Sequence, residues 1–193
     1  MSILGVFKKS LSSLAERRRV SIARREQARR ANQIRREEAH REAMYRKGNA
    51  FEDHVQNMFS KEHFELIHRS PSHDETNGRY VYSMKYPDLR FKEISSGRTF
   101  WVEVKYRSHP DSSGSIEWCS DKQLANYIRT RNTYRDKVYV ILGVGGSVGH
   151  PNNLYCLDLD NIYYTELYYS TYKRCRLGYR KIYCIEQLEQ AAS

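Results

Sequence analysis

Two acidic residues and a lysine have the types and spacing that a metal-dependent hydrolytic site requires. Asp88 follows Pro87, and fifteen residues after it the chain carries Glu103-Val104-Lys105. Carboxylate oxygens are hard ligands that suit Mg²⁺ or Mn²⁺. An ammonium group beside such an ion offsets negative charge that develops in a transition state. These side chains therefore predict a divalent-cation site with a cationic partner.

The segment between the acids has the pattern of a β-hairpin. Apolar and polar residues alternate on both sides of Ser95-Ser96-Gly97, and a short polar loop with glycine is typical of hairpin turns. Side chains alternate across a strand, so Glu103 and Lys105 are expected to share one face. A three-residue loop places Asp88 opposite Val104, which brings all the polar groups within reach of a common ion.

A salt-bridged hairpin with a solvated polar face would carry the same residues, so the neighbouring segments matter. Residues 47–60 place four bulky apolar side chains at helical spacing, with Glu52 at the edge of the apolar face. Residues 64–68 are β-prone. Farther on, Ser120 or Asp121 is expected to cap a second helix. Two apolar runs beyond it predict more strands.

This order of elements resembles the PD-(D/E)XK nuclease superfamily from residue 47 to about residue 145. The matching positions are Gly48, Glu52, Pro87-Asp88 and Glu103-Val104-Lys105. Gln123 and Tyr127 lie on one helix face at i, i+4 and are similar to the Q-x-x-x-Y element of the RecB-type branch. The resemblance implies an α/β fold, in which a restriction endonuclease-like mixed β-sheet is flanked by helices.

The resemblance also implies which residues hold metal. Asp88 would be the central ligand of Mg²⁺ or Mn²⁺, and Glu103 with the Val104 carbonyl would complete the shell. Glu52 would hold a second ion or its water. Hydrolysis of an anionic phosphodiester needs positive charge on its non-bridging oxygens and an activated water, and carboxylate-bound metal supplies both.

Three further residues receive roles from the same resemblance. Lys105 would position the attacking water and offset charge in the transition state. Gln123 would orient Lys105 or the scissile phosphate. Tyr127 would contact the DNA backbone.

Basic charge is concentrated near the start of the chain. Residues 1–50 carry 14 of the 33 Lys/Arg but only 5 of the 23 Asp/Glu, which leaves 19 against 18 for the remainder. Residues 16–46 contain no Pro or Gly and many good helix formers, so a long exposed helix is expected. We expect a basic helical extension over residues 1–46 and a nuclease-like domain over residues 47–193.

The recurring arginines of this helix predict contact with nucleic-acid phosphates. The predicted contact residues are Arg18, Arg25, Arg29, Arg36 and Lys47. The alternative is a solvated spacer helix held by Glu–Arg pairs, or a helix that joins two copies in a homodimer.

Other features point to a cytoplasmic protein. Four cysteines without C-x-x-C spacing favour reduced structural thiols over a zinc site. No apolar run reaches the roughly 18 residues that cross a bilayer, and the order of a signal peptide is missing, so stable membrane insertion is not expected. Residues 2–14 form a short amphipathic stretch whose alternative use is contact with a membrane surface or a partner. The many C-terminal tyrosines are predicted to pack rather than to stack on bases.

The sequence thus favours a Mg²⁺-dependent DNA endonuclease of the structure-specific or restriction-like kind. An exonuclease-like processing enzyme is the first alternative, because Gln123 and Tyr127 resemble the RecB-type element. A nuclease-fold protein that binds DNA or a partner without cleavage is the second.

Overall fold

The computed structural model describes residues 3–71, 85–178 and 181–193. Contacts divide the chain into two units, Met1–Met44 and Tyr45–Ser193. The helices are α1 (Ile3–Met58), α2 (Asp121–Tyr134), α3 (Tyr169–Tyr172) and α4 (Glu186–Ala191), with a 3₁₀ turn at Leu159–Asn161. The strands are β1 (Phe64–Arg69), β2 (Leu89–Glu93), β3 (Thr99–Arg107), β4 (Ile116–Glu117), β5 (Lys137–Ser147), β6 (His150–Asp158) and β7 (Glu166–Leu167).

The first unit is helical, and each of its side chains that the structure describes is exposed. Even Ile22 and Ile34 are 56% and 55% exposed. Arg, Glu, Gln and Ala have high helix propensity, and residues 6–47 contain no Pro or Gly to interrupt the helix. A hydrogen bond of 2.9 Å from Gln33 to Glu37 adds support at i, i+4 spacing. The predicted long exposed helix is confirmed over the described side chains.

Among the described residues of the second unit, five strands form one mixed sheet in the order β1-β2-β3-β5-β6. β1, β2 and β3 pair antiparallel, β3 and β5 pair parallel, and β5 and β6 pair antiparallel. The parallel pair requires a crossover, which contains α2. A separate ladder joins β4 to β7. The predicted α/β fold, a mixed sheet flanked by helices with a long basic helix earlier in the chain, is confirmed.

The predicted hairpin between β2 and β3 is confirmed, but its turn is longer than predicted. The Glu93 N–H donates to the Arg98 carbonyl at 2.8 Å, so the turn comprises the four residues 94–97. Gly97 adopts a φ of 72°, a left-handed conformation that glycine reaches without strain. The three-residue loop predicted from the sequence was therefore one residue too short.

This longer turn shifts the register of the hairpin by one position. Leu89 pairs with Val102, so the continuation of the ladder sets Asp88 beside Glu103. The prediction that Asp88 lies opposite Val104 was wrong for this reason. The corrected register places Asp88 on the same face as Glu103 and Lys105, because residues directly opposite each other in antiparallel strands project to the same side.

Apolar side chains cover both faces of the sheet. On one face, Phe51 and Val55 of α1 pack with Leu89 and Val102, all at most 1% exposed. On the other face, Trp101 and Tyr127 belong to a second cluster that also contains Trp118 of the β4–α2 connection. Glu103 alternates with Val102 and Val104 along β3 and so faces the second cluster.

Candidate active site

The candidate site begins where β3 continues past the start of β2. β3 pairs with β2 only from Thr99 to Val102, although it extends to Arg107. The Val104 N–H therefore lies beyond the part of β3 that pairs with β2. The Asp88 carboxylate takes the place of a strand there and accepts the Val104 N–H at 2.8 Å. Asp88 is thus held against the acid-and-lysine segment of β3 by a backbone hydrogen bond.

Glu103 is the most buried acid of the site. Its side chain is 1% exposed, and its Oε1 accepts a 2.6 Å hydrogen bond from the Tyr127 hydroxyl. The Lys105 ammonium forms an ion pair with the same oxygen. Its other oxygen, Oε2, is buried and has no hydrogen-bond partner among the described residues. A buried carboxylate oxygen without a partner is costly unless a ligand completes it.

Glu52 reaches the site from α1, and a close fit between α1 and β5 sets its position. A Cβ on Gly143 of β5 would lie 2.5 Å from the Phe51 ring, so the glycine leaves the space that this ring fills. The Phe51 and Tyr106 ring centroids are 5.5 Å apart. Phe51 is 1% exposed while the Glu52 side chain is 19% exposed, which leaves the acid at the edge of the buried face.

Electrostatics shows that the three acids act on one another. Burial, followed by the Asp88 charge, raises the pKa of Glu52 to about 8. The same two causes raise the pKa of Glu103 to about 7. Burial also raises the pKa of Asp88, although Lys105 and the Val104 N–H act in the opposite direction. Shifts of this size on clustered carboxyls are typical of functional sites.

Lys105 remains a cation in this setting. Burial lowers the pKa of its ammonium, but Glu103 and Asp88 together outweigh burial, so the pKa lies above its usual value. Its side chain is 17% exposed. The ammonium therefore carries positive charge beside the acids at any physiological pH.

Arg69 is a member of the site that the sequence pattern did not single out. It ends β1, and its guanidinium lies 2.8 Å from Asp53 and 3.9 Å from Glu52. It also donates to Gln56 at 3.0 Å, and its charge lowers the pKa of both Asp88 and Glu52. An arginine that closes an ordinary strand gives no signal in sequence, because only the pairing of β1 with β2 brings it beside Asp88.

The donor set is suited to a divalent cation, although no ligand cage is preformed. Within the described parts of the chain, no three acidic, histidine or cysteine side chains are already arranged to hold an ion. The Asp88 charge nevertheless raises the pKa of both Glu52 and Glu103, and Glu103 Oε2 is a buried oxygen without a hydrogen-bond partner among the described residues. Closely placed carboxylates with an unsatisfied oxygen fit a hard cation such as Mg²⁺ or Mn²⁺.

Gln123 and Tyr127 lie on α2, as predicted, but their contacts differ from those expected. Gln123 is exposed, and its side-chain oxygen accepts from the Ser120 N–H at 3.0 Å in a capping box. This contact stabilises the start of α2. No contact of Gln123 with Lys105 is found among the described residues, so its predicted orienting role has no support in the structure. The position of Gln123, four residues before Tyr127, is explained by its role in the capping box of α2.

Tyr127 is buried rather than available to a DNA backbone. It is 4% exposed and stacks on Trp118 with ring centroids 5.9 Å apart. Its hydroxyl is engaged by Glu103, and burial raises its pKa well above the usual value. The predicted backbone contact therefore has no support in the structure, and the Tyr127 hydroxyl instead holds the Glu103 carboxylate.

The residues predicted to contact nucleic-acid phosphates lie along α1. Arg25, Arg29, Arg36 and Lys47 are exposed. The side chain of Arg18 lies outside the described residues. Exposure leaves these cations accessible to an anionic ligand, and their role remains a prediction.

The other predictions from composition can be compared with the described residues. Cys119, Cys156 and Cys175 are buried free thiols, and Cys184 is partly exposed. Among the helices that the structure describes, none combines the length and apolar character of a membrane span.

No model of a known protein family matches the chain, and no curated protein sequence matches it. Among solved structures, the chain is similar to Hjc, a Holliday junction resolvase from the archaeal hyperthermophile Archaeoglobus fulgidus, with 16% sequence identity and a TM-score of 0.49. The match covers 75% of this chain and 97% of the resolvase. Roles of individual residues in this chain therefore rest on the geometry of its own site.

Proposed function

We propose that this protein is a Mg²⁺-dependent nuclease of the PD-(D/E)XK superfamily that hydrolyses phosphodiester bonds in DNA. The observation that carries the proposal is the cluster formed by Glu52, Asp88, Glu103 and Lys105, drawn from α1, the start of β2, and β3. Its acids repel one another, and one buried carboxylate oxygen lacks a partner among the described residues. A salt-bridged structural hairpin needs neither feature.

Asp88, Glu103 and Glu52 would hold the metal, together with the Val104 carbonyl. Backbone N–H and C=O groups of one strand residue point to the same side, so this carbonyl faces the side on which Asp88 accepts the Val104 N–H. Mg²⁺ or Mn²⁺, when bound, supplies positive charge for the non-bridging phosphate oxygens and lowers the pKa of a bound water.

The protein side chains then have separable tasks. Lys105 places a permanent cation beside the acids and offsets the charge of the pentacovalent phosphate. Tyr127 holds the Glu103 carboxylate in one orientation through its 2.6 Å hydrogen bond. Arg69 reduces the repulsion at Glu52 and Asp88, which keeps these acids ionised at a lower pH than they would otherwise require.

DNA is the proposed substrate because its phosphates are neutralised by cationic side chains, and such side chains are concentrated in the first part of the chain. The first 50 residues hold 14 Lys/Arg against 5 Asp/Glu. Arg25, Arg29 and Arg36 are exposed and are proposed to neutralise phosphates of bound DNA. A homodimer joined by this helix is the alternative use of the same residues, and cytoplasmic location remains a prediction.

Cleavage assays on matched variants test the proposal. Branched, linear and closed-circular DNA would be incubated with the purified chain in Mg²⁺, in Mn²⁺ and in EDTA. We expect cleavage that needs the metal and falls roughly 1,000-fold in Asp88→Asn and in Lys105→Met, because each removes charge that acts on the reacting phosphate. Arg98→Met is the matched control, since Arg98 pairs with Glu186 and Glu189 on the surface.

Three results would overturn the assignment. These are cleavage in EDTA at the same rate, equal cleavage by Asp88→Asn, and no cleavage of any DNA by the folded wild-type chain. Cutting of closed circles supports an endonuclease, whereas a requirement for free ends supports the exonuclease alternative. Membership of the RecB-type branch stays a prediction, because Gln123 is engaged in a helix cap.

A further inference from the structure

A group of exposed tyrosines lies between the 3₁₀ turn and the start of α3. Tyrosine occupies four of the seven positions from 163 to 169. Their exposed fractions are 77% for Tyr163, 74% for Tyr164, 57% for Tyr168 and 56% for Tyr169. The predicted packing of C-terminal tyrosines is confirmed for Tyr172, which is 1% exposed and contacts the Tyr169 ring with centroids 5.4 Å apart. It is wrong for Tyr163, Tyr164 and Tyr168. Tyr179 lies outside the described residues.

The backbone beneath these rings is fixed by several hydrogen bonds. The Trp118 N–H donates to the Thr165 carbonyl at 3.0 Å, and the Trp118 indole N–H donates to the Tyr164 carbonyl at 2.9 Å. Glu166 and Leu167 form β7, which pairs with β4. The rings are therefore presented by an ordered segment, so a ligand that stacks on them loses little free energy to ordering of the chain.

The same tryptophan connects this segment to the candidate active site. Trp118 stacks on Tyr127, whose hydroxyl donates to Glu103. A cleft of about 650 Å³ lies next to both regions in the chain, because its lining includes Arg107 at the end of β3 and Thr165, which follows Tyr164. Arg107 lies two residues after Lys105.

The distribution of charge favours a base over a phosphate at the tyrosines. The cleft is lined by the acids Asp111, Glu117 and Glu166, and hydrogen bonds from Ser113 and Ser115 lower the pKa of Asp111 to about 2. These carboxylates repel phosphate. On the far side of the tyrosines the exposed side chains are cations, with the Lys173 ammonium 5.9 Å from the centre of the Tyr169 ring. The exposed cations are Lys173, Arg174 and Arg176.

We propose that residues 163–169 form a stacking platform for unpaired bases of the nucleic acid that occupies the active site. The ligand class is single-stranded DNA or the unpaired part of a branched DNA, because bases inside a duplex have no free face to offer an aromatic ring. Phosphates next to the stacked bases meet Lys173 and Arg174. The proposal rests on the proposed nuclease function for its substrate, but stacking itself requires neither metal nor cleavage.

Equilibrium binding without metal tests the platform. Fluorescence anisotropy in EDTA would compare a labelled single-stranded oligonucleotide with the duplex of the same sequence. The Tyr163→Ala/Tyr164→Ala variant is expected to lose roughly 10-fold in single-strand affinity for each stacked base, with a much smaller change for duplex. Tyr163→Phe/Tyr164→Phe keeps both rings and should bind as the wild type does. Tyr183→Ala is the control, since Tyr183 is also exposed, at 51%.

Four outcomes of this binding experiment would count against the platform. Equal affinity of wild type and the double alanine variant overturns it, as does a wild type that does not bind the single strand. An equal loss on duplex assigns the tyrosines to the DNA backbone instead, and a changed oligomeric state of the double variant assigns them to a protein interface. A wild type that stacks but does not cleave in Mg²⁺ refutes only the nuclease function.

Discussion

Helix α1 contains two stretches that obey different physical constraints. In residues 24–44 every side chain is exposed and about half are charged. In residues 51–58 the helix buries Phe51, Val55 and Met58 in the core of the second unit. The two stretches of this helix are stabilised differently. Helix propensity and charged side-chain pairs stabilise the first stretch, whereas burial of apolar side chains stabilises the second. The proposed binding of an anion and the proposed placement of a catalytic acid are therefore separable along the same helix.

The largest effect is expected from removing charge in the exposed stretch. Changing Arg25, Arg29 and Arg36 to Gln should weaken DNA binding by about 10-fold or more at low salt. The slope of log K against log salt should become shallower by about 0.9 for each phosphate that the protein no longer neutralises. Turnover of bound DNA should be unchanged, because the acids lie in the second unit.

Binding isotherms at several salt concentrations, with single-turnover cleavage, measure both quantities. Glu26→Gln/Glu38→Gln is the matched control, since it changes charge on the same exposed stretch in the opposite sense and should strengthen binding. An unaltered salt slope in the arginine variant would assign this stretch to a spacer or an oligomer contact.

A second prediction concerns the buried stretch of α1. Gly143→Ala should destabilise the protein by roughly 1–3 kcal/mol, because the added methyl overlaps the Phe51 ring and the core is close-packed. Cleavage should fall as well, since Phe51 sets the position of Glu52. Chemical denaturation and cleavage rates measure the two effects.

Gly48→Ala is the control for this substitution. Outside its own helix backbone, a Cβ at Gly48 meets no atom of the described residues within 4 Å, and alanine is the better helix former by about 1 kcal/mol. We expect this variant to be more stable than the wild type and equally active. A Gly143→Ala protein with unchanged stability would mean that the fit between α1 and β5 does not position Glu52.

Two buried tyrosines allow a third comparison within the second unit. Tyr127→Phe should cost about 1–3 kcal/mol, because Glu103 loses a buried donor, and should reduce cleavage. Tyr139→Phe removes a buried hydroxyl that has no hydrogen-bond partner among the described residues, so its stability should be unchanged or increased. Denaturation midpoints distinguish them, and equal losses in both variants would contradict the positioning role of Tyr127.

The smallest expected effect is the dependence of the melting temperature on pH. Glu52 and Glu103 have folded-state pKa values of about 8 and about 7, against an ordinary value of 4.5. A raised carboxyl pKa favours folding at low pH, and this contribution is lost as pH rises through the folded value. The metal-free melting temperature should therefore fall by a few degrees between about pH 4.5 and pH 8, and less so in Glu103→Gln. A flat profile in the wild type would indicate that the acids are not buried together.

Much of this architecture followed from the sequence because it depends on local patterns. The alternation around Leu89 and Val102 predicts the hairpin, and helical spacing predicts that Phe51 and Val55 are buried. The sequence also predicted that Glu52, Asp88 and Glu103 lie close together, and their electrostatic effects on one another agree with this; their role as metal ligands stays a prediction. Features that depend on neighbouring residues and on the alternation of apolar and polar side chains could therefore be predicted from the sequence.

Other features required contacts that are distant in sequence. The length of the hairpin turn depended on the pairing of Glu93 with Arg98, which composition does not reveal. Arg69 joins the site only through strand pairing. The capping role of Gln123 and the burial of Tyr127 were missed because the same i, i+4 spacing serves a helix cap, a buried contact and a DNA contact equally well. Spacing predicts which face a residue occupies, but not its partner.

The hydrogen bond between Asp88 and the Val104 N–H has a consequence for how this chain tolerates mutation. The acid proposed to bind the ion also closes the gap that β2 leaves beside β3. A replacement that cannot accept this hydrogen bond would remove the proposed metal ligand and would also leave the Val104 N–H without its partner. Descendants that abandon catalysis are therefore under pressure to retain an acceptor there, and asparagine is the substitute that would separate the two duties.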